Sequence, residues 1–173
     1  MKYQEHILIV DDEPNVRLML RTTLESAGYA VDHAEDGAVA LGLLAERAYD
    51  LVLLDLKTPR LDGIASLRQL RARGDRSPVV VLTAHGSVPD AVEAMKLGAI
   101  DFLSKPTTPA RLREAAARAI ERGKLDRATA ATASRGGVDQ PAAPAADEAR
   151  GSFSILQDWF PSGVPANARG RRS

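Results

Sequence analysis

Asp11, Asp12, Asp55, Thr83 and Lys105 are the residues of this 173-residue chain whose types and spacing could do chemistry together. Each ends or closely follows a short apolar run. Asp11-Asp12 follow Ile7-Leu8-Ile9-Val10, and Asp55 closes Leu51-Val52-Leu53-Leu54. Thr83 closes Val79-Val80-Val81-Leu82, and Lys105 stands just past Ile100 to Leu103. The three aspartates form an oxygen donor set without His or Cys, the kind that suits Mg²⁺ or Mn²⁺. Without a cation, three neighbouring carboxylates repel and raise one another's pKa. Lys105 balances only part of that charge. A carboxylate flanked by a divalent cation, a hydroxyl and a lysine is a pocket for a phosphoryl group. Asp55 would be the nucleophile. The cation and Lys105 would neutralise the phosphoryl oxygens, and Thr83 would donate a hydrogen bond.

For these groups to meet, the runs that carry them must lie parallel. Apolar runs this short read as strands buried on both faces. Between them the spacing is helical. Pro14 opens a helix carrying Val16, Leu20 and Leu24, with Gly28 as its stop. Tyr29 to Ala34 alternates as a second strand. Ala38 to Ala48, Ile64 to Ala72 and Pro89 to Leu97 are predicted helices, the last two closed by Gly74 and Gly98. Thr108-Pro109 caps a fifth helix predicted to end near Arg122, before Gly123. Five alternating βα units imply an α/β fold, a parallel sheet covered on both faces. Ligands in such sheets bind beyond the carboxyl ends of the strands. That edge is where the five polar residues fall.

Composition narrows the function. Formal net charge is +0, from 23 basic and 23 acidic residues, so no bulk polyelectrolyte partner is implied. The chain has no cysteine, which excludes disulfides and thiolate chemistry and is compatible with a reducing compartment. The start holds no signal-peptide core, and no apolar run is long enough to span a bilayer. A cytoplasmic protein without membrane contact is expected. From Ala128 to Gly151, 14 of 24 residues are Ala, Gly or Pro, too little to build a core. The expected organisation is therefore a globular domain over 5–122, a disordered linker over 123–152, and a tail over 153–173. That tail opens with the apolar Phe153 to Phe160 and ends with basic Arg169-Gly170-Arg171-Arg172.

The motifs Asp11-Asp12, Asp55 followed by Pro59 and Asp62-Gly63, Thr83-Ala84 and Lys105-Pro106 resemble the receiver domain of two-component response regulators. The resemblance covers about residues 5 to 122. The wording around Leu82–Ser87 and Ala91–Ala99 is similar to receivers of nitrogen-regulation-type activators. It implies a doubly wound five-stranded sheet of order 2-1-3-4-5. It further implies phosphorylation of Asp55 by a sensor histidine kinase or phosphotransfer protein. Asp12, Asp55 and the backbone carbonyl of Lys57 would bind Mg²⁺ directly, and Asp11 mainly through water. Thr83 and Lys105 would grip the phosphoryl oxygens, and the Lys105-Pro106 bond would be cis. Phe102 stands where many family members carry a switch tyrosine, so no phenol is present here. Thr83 and Phe102 would relay the phosphorylated state to a surface that binds a downstream protein.

Each residue also has a plainer reading. Asp12 begins a helix, where acids are favoured. Phe102 is a core aromatic. His85 and Lys57 are solvated loop residues, and the basic end is a solvated tail. Other functions compete as well. A Mg²⁺-dependent phosphatase with an aspartyl nucleophile would place Asp-x-Asp on its first strand, whereas Asp11-Asp12 are adjacent and the best nucleophile is on the third. A truncated transcriptional regulator would need a DNA-reading element. No helix-turn-helix pattern follows residue 123, and no basic footprint is present, so direct nucleic-acid binding is not expected.

Overall fold

Apolar strands that are buried on both faces need a helical layer on each side. The computed structural model describes residues 4–84 and 88–134 and has that arrangement. Chain order is β1 (His6–Val10), α1 (Pro14–Ser26), β2 (Ala30–Ala34), α2 (Gly37–Glu46), β3 (Leu51–Asp55), α3 (Gly63–Ala72), β4 (Val79–Ala84), α4 (Val88–Lys96), β5 (Asp101–Lys105) and α5 (Pro109–Ala133). All pairings are parallel and the strand order is β2-β1-β3-β4-β5, the order expected.

Strand alternation divides the core into two layers. Ile7, Ile9, Leu51, Leu53, Val80 and Leu82 pack with Leu20 and Leu24 of α1 and Leu112 and Ile120 of α5. Leu8, Val10, Val52, Leu54, Val79 and Val81 pack on the other face with Leu41 of α2, Leu67 and Leu70 of α3 and Ala94 of α4. A one-residue slip would exchange these sets, so register is strongly fixed. Val10 pairs with Leu54, Asp55 with Leu82 and Ala84 with Lys105. This register brings Asp11, Asp55, Thr83 and Lys105 to one edge.

Local chemistry sets the element ends. The Asp36 carboxylate caps α2 by accepting the Val39 N–H at 3.0 Å, and Asp62 caps α3 by accepting the Ala65 N–H at 2.8 Å. Gly28, Gly74 and Gly98 have φ of 97°, 79° and 90° and stop α1, α3 and α4 as expected.

The fifth helix departs from expectation. Gly123 does not end it; α5 runs on to Ala133, so residues 123–133, expected as linker, are helical. Gly123 serves packing instead, because a Cβ there would run into the Pro78 ring. Beyond it, Lys124 pairs with Glu5 at 2.7 Å and Arg127 with the nearly buried Asp50 at 3.2 Å. These contacts outweigh the modest helix penalty of one glycine. The rest of the expected linker from 135, the 153–173 tail and His85 lie outside the described residues.

Gly63 ties α3 to the end of β3. A Cβ at that position would overlap the Asp55 carbonyl oxygen and stand 2.7 Å from Leu56 Cα. Both are backbone and cannot turn aside. Gly63→Ala is expected to cost about 2 kcal/mol, the usual size of overpacking; urea denaturation of the variant beside the wild type measures it.

Candidate functional site

Asp55 is the last residue of β3 and is 3% exposed; Asp11 directly follows β1 and is fully buried. Asp12, one residue on, faces solvent. The three carboxylates each offer an oxygen within 4.8 Å of the others. Lys105 closes β5 and sends its ammonium across the sheet edge. Its Nζ lies 2.7 Å from Asp11 Oδ2, 3.0 Å from Asp55 Oδ2 and 3.5 Å from Glu13 Oε1.

The contacts differ in kind. Lys105 donates a hydrogen bond to Asp55 Oδ2, and the Lys57 N–H donates to Asp55 Oδ1 at 3.0 Å. Asp11 Oδ1 accepts the Glu13 N–H at 2.9 Å. Asp11 Oδ2 has the Lys105 ammonium as its sole partner among the described residues, in an ion pair at 2.7 Å. A buried acceptor left in that state, beside two further carboxylates, fits an oxygen-seeking divalent cation.

Titration follows burial and charge. Burial pushes the Asp55 carboxyl above its ordinary value, and the bonds from Lys57 and Lys105 only partly offset it. Burial works against the Lys105 ammonium, but Asp11 and Asp55 outweigh it and hold its pKa above the usual lysine value. Lys105 is therefore charged at neutral pH.

The remaining residues read from the sequence are near. Thr83 is nearly buried, and its hydroxyl donates to the Ala84 carbonyl at 3.2 Å. Among the described residues it makes no hydrogen bond to Asp55. Phe102 pairs with Val81, packs half-buried against the second layer of the core, and lies two register positions from the Thr83–Ser104 pair. Lys57 has its ammonium on Asp90 of α4 at 2.9 Å. The Lys105-Pro106 peptide is cis.

The contacts of two arginines have no signal in the sequence. Arg17 of α1 donates to the Asp11 carbonyl at 2.6 Å, holding the β1–α1 turn. Arg60, in the loop after Asp55, pairs with Glu35 at 2.8 Å and with the buried Asp36. An arginine on a helix or in a polar loop gives no such signal, because its partner is set by tertiary approach.

Comparison with known proteins fixes the family. A model of the response regulator receiver domain matches residues 7–117. The chain belongs to the response regulator receiver family. Response regulator MprA of Mycobacterium sp. (strain KMS) is 49% identical over 100 residues, 58% of this chain and 44% of MprA. Transcriptional regulatory protein FixJ of Bradyrhizobium diazoefficiens is 41% identical over 112 residues, 65% of this chain and 55% of FixJ. The chain thus spans about half the length of these two relatives. The crystal structure of the receiver domain of NtrX from Brucella abortus superposes with a TM-score of 0.64 at 38% identity, over 66% of this chain and 98% of that one. This receiver therefore has the fold and family that the strand-end residues implied. Among its described residues, no helix is long and apolar enough to cross a membrane.

The raised carboxyl of Asp55 has a consequence for stability. Its ionised form is disfavoured in the fold, so its contribution is present below the ordinary carboxylate pKa and lost as pH rises through the folded value. In EDTA, Asp55→Asn is expected to be more stable than wild type at pH 7. That gain should shrink as pH falls through the carboxylate range. Thermal melts across pH 3 to 7 check this, and a gain independent of pH would contradict it.

Proposed function

We propose that Asp55 is the phosphoacceptor of a two-component relay, and that phosphorylation alters a surface bound by a downstream protein. The observation that carries the reading is Asp55 at the strand end, held by Lys57 N–H and Lys105 beside Asp11 and Asp12. The donor is a phosphohistidine of a sensor histidine kinase or phosphotransfer protein. An Asp55 carboxylate oxygen attacks phosphorus, an O–P bond forms, and the N–P bond breaks. The electron pair returns to the imidazole nitrogen, which takes up a proton. Lys105 orients the carboxylate and then neutralises the transferred oxygens.

Asp12, Asp55 and the Lys57 carbonyl would hold Mg²⁺, or Mn²⁺, directly, with Asp11 acting through water. When bound, the cation supplies positive charge for the donor's phosphoryl oxygens. Thr83 is the hydroxyl that turns from the Ala84 carbonyl to the phosphoryl group, and Phe102 on the adjoining strand registers that shift. A ligand moves a conformational equilibrium only through such differential contact. In this reading the chain signals in the cytoplasm by protein binding, without turnover of a substrate pool and without direct contact to nucleic acid.

Acetyl phosphate with Mg²⁺ should label the wild type on one site and leave Asp55→Asn unlabelled, read by intact-mass spectrometry in the cold. Labelling of the variant at the wild-type rate would sink the assignment. Thr83→Ala should still be labelled. Its phosphorylation-induced NMR shifts at Phe102 and Val92 should be less than half those of wild type; shifts of full size would break the proposed relay.

A further inference from the structure

The opposite, amino-terminal edge of the sheet carries a second concave feature. A cavity of about 780 Å³ opens between the α3–β4 loop, the α4–β5 turn and the second half of α5. Arg71, Arg76, Lys96 and Arg127 face it, against one carboxylate, Asp126. Asp126 is 3.6 Å from Arg122, and Arg127 is shared with Asp50 at 3.2 Å. Among the described residues Arg71, Arg76 and Lys96 make no ion pair.

Arg71 builds the floor. Its half-buried guanidinium donates to the carbonyls of Asp75 at 2.9 Å, Ser77 at 3.1 Å and Gly98 at 3.0 Å. It stitches the α3–β4 loop to the α4–β5 turn through backbone acceptors, and the nearby Asp75 carboxylate offsets part of its charge. Lys96 and Arg71 also suit the carboxyl ends of α4 and α3. Arg76 lies outside any helix and Arg127 lies within α5, so helix ends do not explain the cluster. Between the charges the walls are apolar, from Pro78, Leu97 and Ile100.

We propose that this groove is a binding site for a nucleoside diphosphate or a ligand of that class, a compact polyanion with a flat apolar body. The cavity has the size of small-molecule sites. Arg76, Lys96 and Arg127 supply the phosphate-directed charge, Arg127 by adding the ligand to its Asp50 contact. Pro78, Leu97 and Ile100 receive the apolar part. Such a ligand would bridge α4, α5 and the start of β5, the strand whose far end is Lys105. The site does not depend on phosphorylation of Asp55.

The test is an ¹⁵N NMR titration of the full 173-residue chain. It uses ADP in EDTA, which removes cation-mediated binding at the acidic pocket. Saturable shifts at Ser77, Gly98 and Ile100 are expected, unchanged in Asp55→Asn. Arg76→Gln combined with Lys96→Gln should weaken ADP at least tenfold while keeping a folded spectrum; charge reversal to Glu at both sites should abolish it. Inorganic pyrophosphate should bind at least tenfold more weakly than ADP. Equal affinity for pyrophosphate overturns the role of the apolar wall. Tighter binding of an acidic peptide overturns the small-ligand assignment in favour of a protein segment. No shift at these amides, or shifts confined to the Asp11–Asp12 turn, overturns the site itself.

Discussion

Negative charge crowded at one sheet edge is the constraint from which this structure follows. Asp11 and Asp55 are almost wholly removed from water, and Asp12 adds a third carboxylate beside them. Burying such groups is costly unless each is paired or hydrogen-bonded. Lys105 answers part of the demand, reaching both buried carboxylates from the end of β5. Two backbone N–H groups answer more, one from Glu13 and one from Lys57. What remains is Asp11 Oδ2, with the Lys105 ammonium as its sole partner among the described residues, and the elevated carboxyl of Asp55. The fold thus keeps a site that is incompletely satisfied by its own atoms. Titratable groups left in this state mark a candidate functional site.

The scaffold holds that tension by being rigid where the carboxylates attach. The loop after Asp55 is fixed from several directions. The Thr58 hydroxyl donates to the Leu61 carbonyl at 2.9 Å, and the Gly37 N–H reaches the same carbonyl at 3.3 Å. Arg60 adopts φ 63°, a left-handed conformation that costs a non-glycine residue of order 1 kcal/mol. In that conformation its guanidinium meets Asp36 and Glu35 across the neighbouring corner. Asp36 is fully buried and its other oxygen caps α2, so the ion pair has a fixed anchor. Gly63 then lets α3 start directly against the Asp55 backbone.

Much of this was legible because it depends on patterns of period two and on edges. The parallel sheet, the two-layer core and the meeting of Asp11, Asp55, Thr83 and Lys105 follow from apolar runs that end on polar residues, whereas the strand order comes from the resemblance to the receiver family. The end of α5 was not legible. Gly123 reads as a helix stop from local propensity, yet its lack of a Cβ is used against Pro78, a contact from the start of another strand. Asp62, read from the sequence as part of a motif, also caps α3. The Arg17 and Arg60 contacts were invisible for a different reason. Long flexible cations choose partners only after the elements have docked.

The elements are not held equally, and that inequality points the way a signal would travel. Every side chain of β3 is buried, and α1, α3 and α5 bury leucines. By contrast, the buried residues of α4 are Ala91 and Ala94, side chains with little apolar area to lose. Met95 adds partly buried packing against the core, and two ion pairs at the surface add to it, Arg68–Glu93 at 2.6 Å and Lys57–Asp90 at 2.9 Å. Exposed pairs of this kind contribute about 0–1 kcal/mol each. The fully buried side chains of α4 are thus smaller than those of the helices that bury leucine. One of its two pairs begins at Lys57, whose N–H is bound to Asp55. Lys105 holds the other oxygen of the same carboxylate, and the Lys57 side chain reaches Asp90 of α4. Lys57 thus spans from the Asp55 carboxylate, through its N–H, to α4, through its ammonium.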